Sequence, residues 1–393
     1  MSNHLMPTYA RADVAFVRGE GARLFDEAGN DFIDLLAGIG VISLGHCHPH
    51  LVAALQAQGE KLWHVSNLFR IPQAERAAER LCAMSFADVV FFSNSGAEAV
   101  EAAIKTARKH FAHNGQPERH RIITFSGAFH GRTLASLAAG GNAAHLEGFD
   151  PACPGFDQVP VEDEQAVLDA ISEETAAILI EPVQGEGGIH AVSDDFLRFL
   201  RRVCDEHGLL LIVDEIQCGM GRTGRMFAHE HAGIRPDIMA LAKGLGGGFP
   251  VGACLATAEA ADGMTAGTHG STFGGNPLAM SVVNAVLDVM EEPDFLQQVN
   301  ATAGHLDAEL RALAAAHEEV ITALRGRGLM RGLQLHERFA NTELVALARE
   351  ERVLVCGAGA NVVRLLPPLT IGTAELDEGM ARLERAVARL RAA

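Results

Sequence analysis

Lysine is scarce in this chain of 393 residues: Lys61, Lys105, Lys109 and Lys243 are the only ones, and arginine supplies the remaining basic charge. There is one tryptophan and one tyrosine. Cysteine comes only singly, at 47, 82, 153, 204, 218, 254 and 356, with no CxxC pair and an odd total. That spacing excludes a disulfide framework, and it leads us to expect a reduced, cytoplasmic setting with most of the cysteines as small core residues. Positive charge is also lacking. A formal net charge of −18 argues against a nucleic-acid partner or an anionic membrane surface, both of which need a basic face. No apolar run approaches the ~20 residues needed to cross a bilayer, and no basic-then-apolar N-terminal stretch reads as a signal peptide.

What is present is a succession of short, continuous apolar runs at 88–93, 121–125, 176–181, 209–214 and 251–256. They do not alternate, which suits strands buried on both faces of a mostly parallel sheet. Helical stripes lie between them. In 97–111, Val100, Ala103, Ile104, Ala107 and Phe111 share one face. In 194–207, Asp194 or Ser193 caps the start and Gly208 ends it. The alternation predicts an α/β domain with right-handed crossovers over roughly 50–275. After 276 the pattern changes to long helices at about 277–291 and 294–318, short strands near 329–335, 353–356 and 361–367, and a last helix near 373–392. We expect a segment 1–48 packing on a small domain, a large domain 49–276 and a small α+β domain 277–393.

Three stretches could carry chemistry. In "FFSNSGAEAVEAAIK" a strand gives way to a helix through Ser95, Gly96 and Ala97, and the free N–H groups of such a helix start favour an anion. In "LLLIVDEIQCGMGRTG", Asp214 ends an apolar run, where open α/β sheets bind ligands. In "IMALAKGLGGGFPVG", Lys243 ends another run before a glycine-rich turn. A lysine in apolar surroundings is a usable amine nucleophile. Each taken alone reads as an ordinary cap, sheet-end carboxylate or loop lysine. An amine, an acid and an anion site at the ends of neighbouring strands together suit pyridoxal phosphate. A fourth cluster, His46, Cys47, His48 and His50 in "GHCHPH", has zinc-ligand residue types, but no second ligand group accompanies it and Pro49 suits a helix start. We expect no metal there.

The stretches "GHCHPHLV", "NSGAEAVEAAIKTAR", "AFHGRT", "EPVQGEGG", "VDEIQCGMGRTG", "LAKGLGGGFPVGA", "HGSTFGGNPLA" and "VRLLPPLTI" recur in this order over almost the whole chain. In them the chain resembles the class III aminotransferases of the fold-type I pyridoxal-phosphate enzymes. The resemblance implies a large domain with a mostly parallel sheet, a smaller α+β C-terminal domain, pyridoxal 5'-phosphate, and a homodimer with shared active sites. Position by position, it makes Lys243 the lysine that carries the cofactor, Asp214 the partner of the ring nitrogen and Gln217 the residue near the ring hydroxyl. Gly96 and Ala97 become the phosphate turn, Phe129 the ring-stacking aromatic, and Thr272 a phosphate ligand donated by the second subunit. Ser271, Arg132 and Arg364 become substrate contacts, the two arginines for carboxylates. By the same resemblance Glu186 becomes the residue that pairs with Arg364 when that arginine holds no carboxylate. Ornithine aminotransferases carry a tyrosine where Ile39 stands here, so the resemblance favours an N-acylated ornithine. The implied reaction moves the δ-amine of N2-acetylornithine to 2-oxoglutarate, as in arginine biosynthesis. Succinylornithine, acetyllysine, ornithine or 4-aminobutyrate as donor, or an aminomutase reaction, remain alternatives.

Overall fold

A computed structural model of the chain describes residues 4–392. Its centre is a seven-stranded sheet in the order Val89–Ser93, Gly252–Ala256, Ile238–Leu241, Leu210–Asp214, Thr175–Ile180, Arg121–Phe125, Phe156–Val159. Neighbours from Ile238–Leu241 to Phe156–Val159 pair in parallel. Gly252–Ala256 runs antiparallel to both of its neighbours, so Val89–Ser93 points the same way as the parallel set. Thr175–Ile180, Leu210–Asp214 and Ile238–Leu241 are buried at every residue, which is what a sheet covered on both faces demands of an unbroken apolar run.

The helices covering this sheet follow local signals. Gly96–His113 buries Val100, Ala103, Ile104, Ala107 and Phe111, and the Ser95 hydroxyl accepts from the Glu98 N–H at its start. Asp194–His207 is capped by Ser193 and stops at Gly208 with φ +61°, the left-handed conformation glycine adopts without strain. Beyond it, the helices Pro277–Met290 and Phe295–Ala316 lead to an antiparallel sheet ordered Ile321–Arg327, Met330–Leu335, Val362–Leu365, Cys356–Ala358. Near the N-terminus, Phe16–Glu20, Arg23–Asp26 and Asp31–Asp34 form a meander, and Val353–Leu354 adds to it in parallel with Asp31–Asp34.

Arg222 ties the second sheet to the first. It is only 2% exposed, and its Nη1 donates to the carbonyls of Leu329 and Pro367. No carboxylate pairs with it among the described residues, and burial pulls its pKa down to about 9.

The cysteines depart from expectation. Only Cys204, Cys218 and Cys254 are buried, whereas Cys82, Cys153 and Cys356 are half-buried and Cys47 is exposed. The sequence runs around Cys47 and Cys153 are turns rather than elements, so no core is available to them. The histidines of "GHCHPH" are dispersed: His46 bonds Asp34 at 2.7 Å and His50 bonds Asp288 at 2.9 Å.

Candidate active site

The strands that point the same way all end on one side of the sheet, and five of the six, all but the edge strand Phe156–Val159, hand over a residue type with a use. Ser93 is followed by the turn at Ser95–Ala97, and Phe125 by Phe129 and His130. Ile180 is followed by Glu181, Leu241 by Ala242 and Lys243, and Leu210–Asp214 ends on its own carboxylate. These residues line one cavity of about 420 Å³, closed by Val41, Arg132, Ile216, Gln217 and the turn Gly248–Val251. Seven strands in that order make this the expected ligand side of the sheet.

Lys243 is half-buried in the wall of this cavity, and its Nζ has no hydrogen-bond partner among the described residues. Burial lowers its pKa, and the Arg364 charge lowers it further. Its backbone sits at φ +44°, an uncommon region for a residue with a side chain and one concentrated at functional sites.

Asp214 is 3% exposed. Its Oδ2 meets His130 Nδ1 at 2.8 Å, and its Oδ1 accepts from the Ile216 N–H at 3.1 Å. Burial alone would lower the pKa of His130, but the hydrogen bond and charge of Asp214 outweigh it and raise it.

The helix start at Gly96 and Ala97 presents N–H groups with no intrahelical acceptor to the same cavity. A Cβ on Gly96 would stand 2.9 Å from Ile216 Cδ1, so a larger residue there would have to displace the Ile216 side chain from the cavity wall.

Phe129 lies in the wall, its N–H donating to Glu181 Oε2 at 2.9 Å. Arg132 packs its guanidinium 5.7 Å from the Phe129 ring centre and meets His145 Nε2 at 3.0 Å. Arg364 stands behind Gln217, donating from Nη1 to Gln217 Oε1 at 3.0 Å and to Glu186 Oε1 at 2.6 Å. These contacts bring Lys243, Asp214, Gln217, Gly96, Ala97, Phe129, Arg132, Arg364 and Glu186 into one neighbourhood. Ser271 and Thr272 are not brought there. They line a separate hollow with His269 and Glu101, joined to the main cavity only through Asn94. Ile39 does not line the cavity either; it is 38% exposed, and Val41 takes the position in the wall.

Sequence reasoning missed Glu181, His130 and Cys356. Glu181 is buried, and burial together with the Asp214 charge pushes its pKa up to about 7. The signal was available, because Glu181 follows an apolar run as Asp214 ends one. A raised carboxyl pKa stabilises the fold below its ordinary value and loses that contribution as pH rises through the folded one. In the cofactor-free protein the contribution of Glu181 to stability is therefore lost between pH 4.5 and about 7. Glu181→Gln should flatten that slope by roughly 2–3 kcal/mol. Chemical denaturation of both proteins from pH 5 to 8 checks it; parallel curves would refute it.

The donor set fits pyridoxal phosphate: an amine without a hydrogen-bond partner among the described residues, a buried carboxylate at a strand end and a helix start with free N–H groups share one cavity. Fold and site thus define a fold-type I pyridoxal-phosphate enzyme. Residues 7–387 match the family described as aminotransferase class III, and the chain belongs to that family. It is a pyridoxal-phosphate-dependent aminotransferase. It is 58% identical over 386 residues to the acetylornithine aminotransferase of Brucella melitensis, covering 98% of this chain and 95% of that one. Among solved structures, the N-acetylornithine aminotransferase of Stenotrophomonas maltophilia K279a superposes with a TM-score of 0.86 at 39% identity, covering 98% of both chains. The ornithine aminotransferase of Toxoplasma gondii ME49 superposes with a TM-score of 0.95 at 32% identity, covering 99% of this chain and 93% of that one.

Proposed function

We propose that the enzyme moves the δ-amino group of N2-acetylornithine to 2-oxoglutarate, giving N-acetylglutamate 5-semialdehyde and glutamate, a step of arginine biosynthesis. The observation that carries the reading is the asymmetry of the two arginines. Arg364 is paired with an internal carboxylate, Glu186, whereas Arg132 meets His145 and the Phe129 ring and has no carboxylate partner among the described residues. A donor with one carboxylate needs one free arginine, and an acceptor with two needs both. N2-acetylornithine and 2-oxoglutarate have those numbers. A planar fork suits either carboxylate. In this reading Arg132 holds the donor's α-carboxylate, and Glu186 swings aside when 2-oxoglutarate claims Arg364.

Bound pyridoxal phosphate supplies an electron sink for the bond broken at the amine-bearing carbon. Lys243 Nζ carries the cofactor and, once freed, takes the proton from that carbon and returns it, a role its lowered pKa suits. Asp214 keeps a proton on the ring nitrogen, with His130 behind it. Gly96 and Ala97 would hold the phosphate, Phe129 would pack on the ring and Gln217 would serve the ring hydroxyl.

Thr272 and Ser271 act in this scheme on the site of a second copy of the chain. Support comes from the exposed apolar surface beside them, with Trp63 at 66%, Leu68 at 86%, Phe69 at 65% and Phe273 at 60% exposure, a patch that a homodimer would cover. Asn67 Nδ2 fixes that loop to the carbonyls of Ser271 and Gly274 at 3.0 and 2.9 Å. Seven unpaired cysteines support a cytoplasmic location.

The test is a panel of amine donors with 2-oxoglutarate. The kcat/KM for N2-acetylornithine should exceed that for ornithine or 4-aminobutyrate by on the order of 10²-fold. A preference for either of those sinks the donor assignment. Amino-group movement without any need for 2-oxoglutarate would instead mean an aminomutase.

A further inference from the structure

Arg364 is 1% exposed, and every nitrogen of its head matters if it is to accept a carboxylate. Nη1 serves Glu186 and Gln217, and Nη2 has no partner among the described residues. Nε donates to Cys356 Sγ at 3.3 Å. The contact follows from strand register: Cys356 on Cys356–Ala358 is the direct antiparallel partner of Arg364 on Val362–Leu365. Facing residues on adjacent strands put their side chains on the same side of the sheet. The sulfur therefore meets the guanidinium on the edge away from Glu186.

We propose that Cys356 is a positioning residue for Arg364: its thiol holds Nε so that the Nη1–Nη2 edge faces the cavity, without taking the positive charge the acceptor's carboxylate needs.

A thiol is a weak acceptor, so it orients the head while leaving it under-committed. Burial pushes the Cys356 thiol up against the pull of the Arg364 charge, which keeps the sulfur neutral. A charged partner at this place would compete with substrate, as Glu186 already does from the other side. Glu186 is 36% exposed on its side chain and has room to leave, whereas Cys356 is built into the sheet and stays. The two neighbours of Arg364 thus divide the work: one is exchanged for substrate, and the other keeps the aim while that exchange happens.

The inference rests on the reading that Arg364 binds 2-oxoglutarate and that N2-acetylornithine does not need it. The test measures both half-reactions of the cofactor-loaded enzyme separately, by absorbance, for wild type, Cys356→Ala, Cys356→Ser, Cys356→Asp and Arg364→Ala. Cys356→Ala should raise the apparent Kd for 2-oxoglutarate about fivefold to tenfold, the size of one lost hydrogen bond. It should leave the N2-acetylornithine half-reaction within about twofold. Cys356→Ser should restore 2-oxoglutarate binding. Cys356→Asp should weaken it more than Cys356→Ala does, although it restores an acceptor, because it claims the charge. If Cys356→Ala slows both half-reactions alike, or neither, while Arg364→Ala selectively weakens 2-oxoglutarate, the positioning role is overturned. If Arg364→Ala leaves 2-oxoglutarate binding intact, the underlying assignment of Arg364 fails instead. Should Cys356→Ala fold poorly, the contrast between the Ser and Asp variants still decides: equal affinity in both overturns the proposal.

Discussion

Lys243→Ala is expected to lose turnover by at least about 10⁴-fold and to lose the absorbance of the covalently held cofactor. The size of the effect follows from isolation. Of the four lysines, Lys243 is the only one that lines the cavity, and Lys105 is engaged with His269 at the surface. No second amine can take over. Its replacement removes both the group that carries the cofactor and the group that moves the proton, and such roles do not add as independent terms. A small exogenous amine should restore part of the proton-transfer rate in the variant, since the deleted side chain leaves space in a formed cavity. The check is kcat with and without added methylamine, together with the absorption spectrum. A variant that turns over within tenfold of wild type, with its spectrum intact, would end the assignment of the amine.

Asp214→Asn is the second large effect, with kcat reduced on the order of 10²–10³-fold and KM for both substrates changed much less. The substitution keeps the shape and one acceptor but removes the charge. In a site this dry, the charge is what holds a proton on the atom opposite. It also supports His130, whose imidazole is fully buried and whose raised pKa depends on Asp214 against the pull of burial. His130 should therefore lose its proton in the variant at pH values where wild type keeps it, which the ring resonances in an NMR titration would report. Steady-state kinetics provide the other readout. A large rise in KM with kcat unchanged would mean that Asp214 serves binding alone.

The parts legible in the sequence share a physical property: they are local. A run such as 209–214 is apolar at every position because both faces of its strand are covered, and so the run announces the strand and its end. Ser95 and Ser193 announce helix starts because a hydroxyl at that position satisfies an otherwise free N–H. Where this logic lapses, so does the reading. Ile321–Arg327 is mostly half-buried or exposed and carries arginine at two of its seven positions, and Phe156–Val159 is a half-exposed edge strand, so neither shows an apolar run. The cysteines misled for a related reason, because composition does not say whether a turn or a strand will hold them.

Amino-acid order by itself determined which chemical groups stand at which strand ends: an amine at 243, carboxylates at 181 and 214, and an anion-accepting turn at 96–97. Family resemblance grouped several of these residues, but the geometry of their contacts belongs to the fold. Strand order decided that those ends share a cavity. Register set Cys356 opposite Arg364, and loop packing joined Arg364 to Gln217 and Glu186 across 147 and 178 positions of chain. Such contacts depend on how distant segments close against each other, and burial then sets how strongly their charges act. Neither is written in the spacing of residues along the chain.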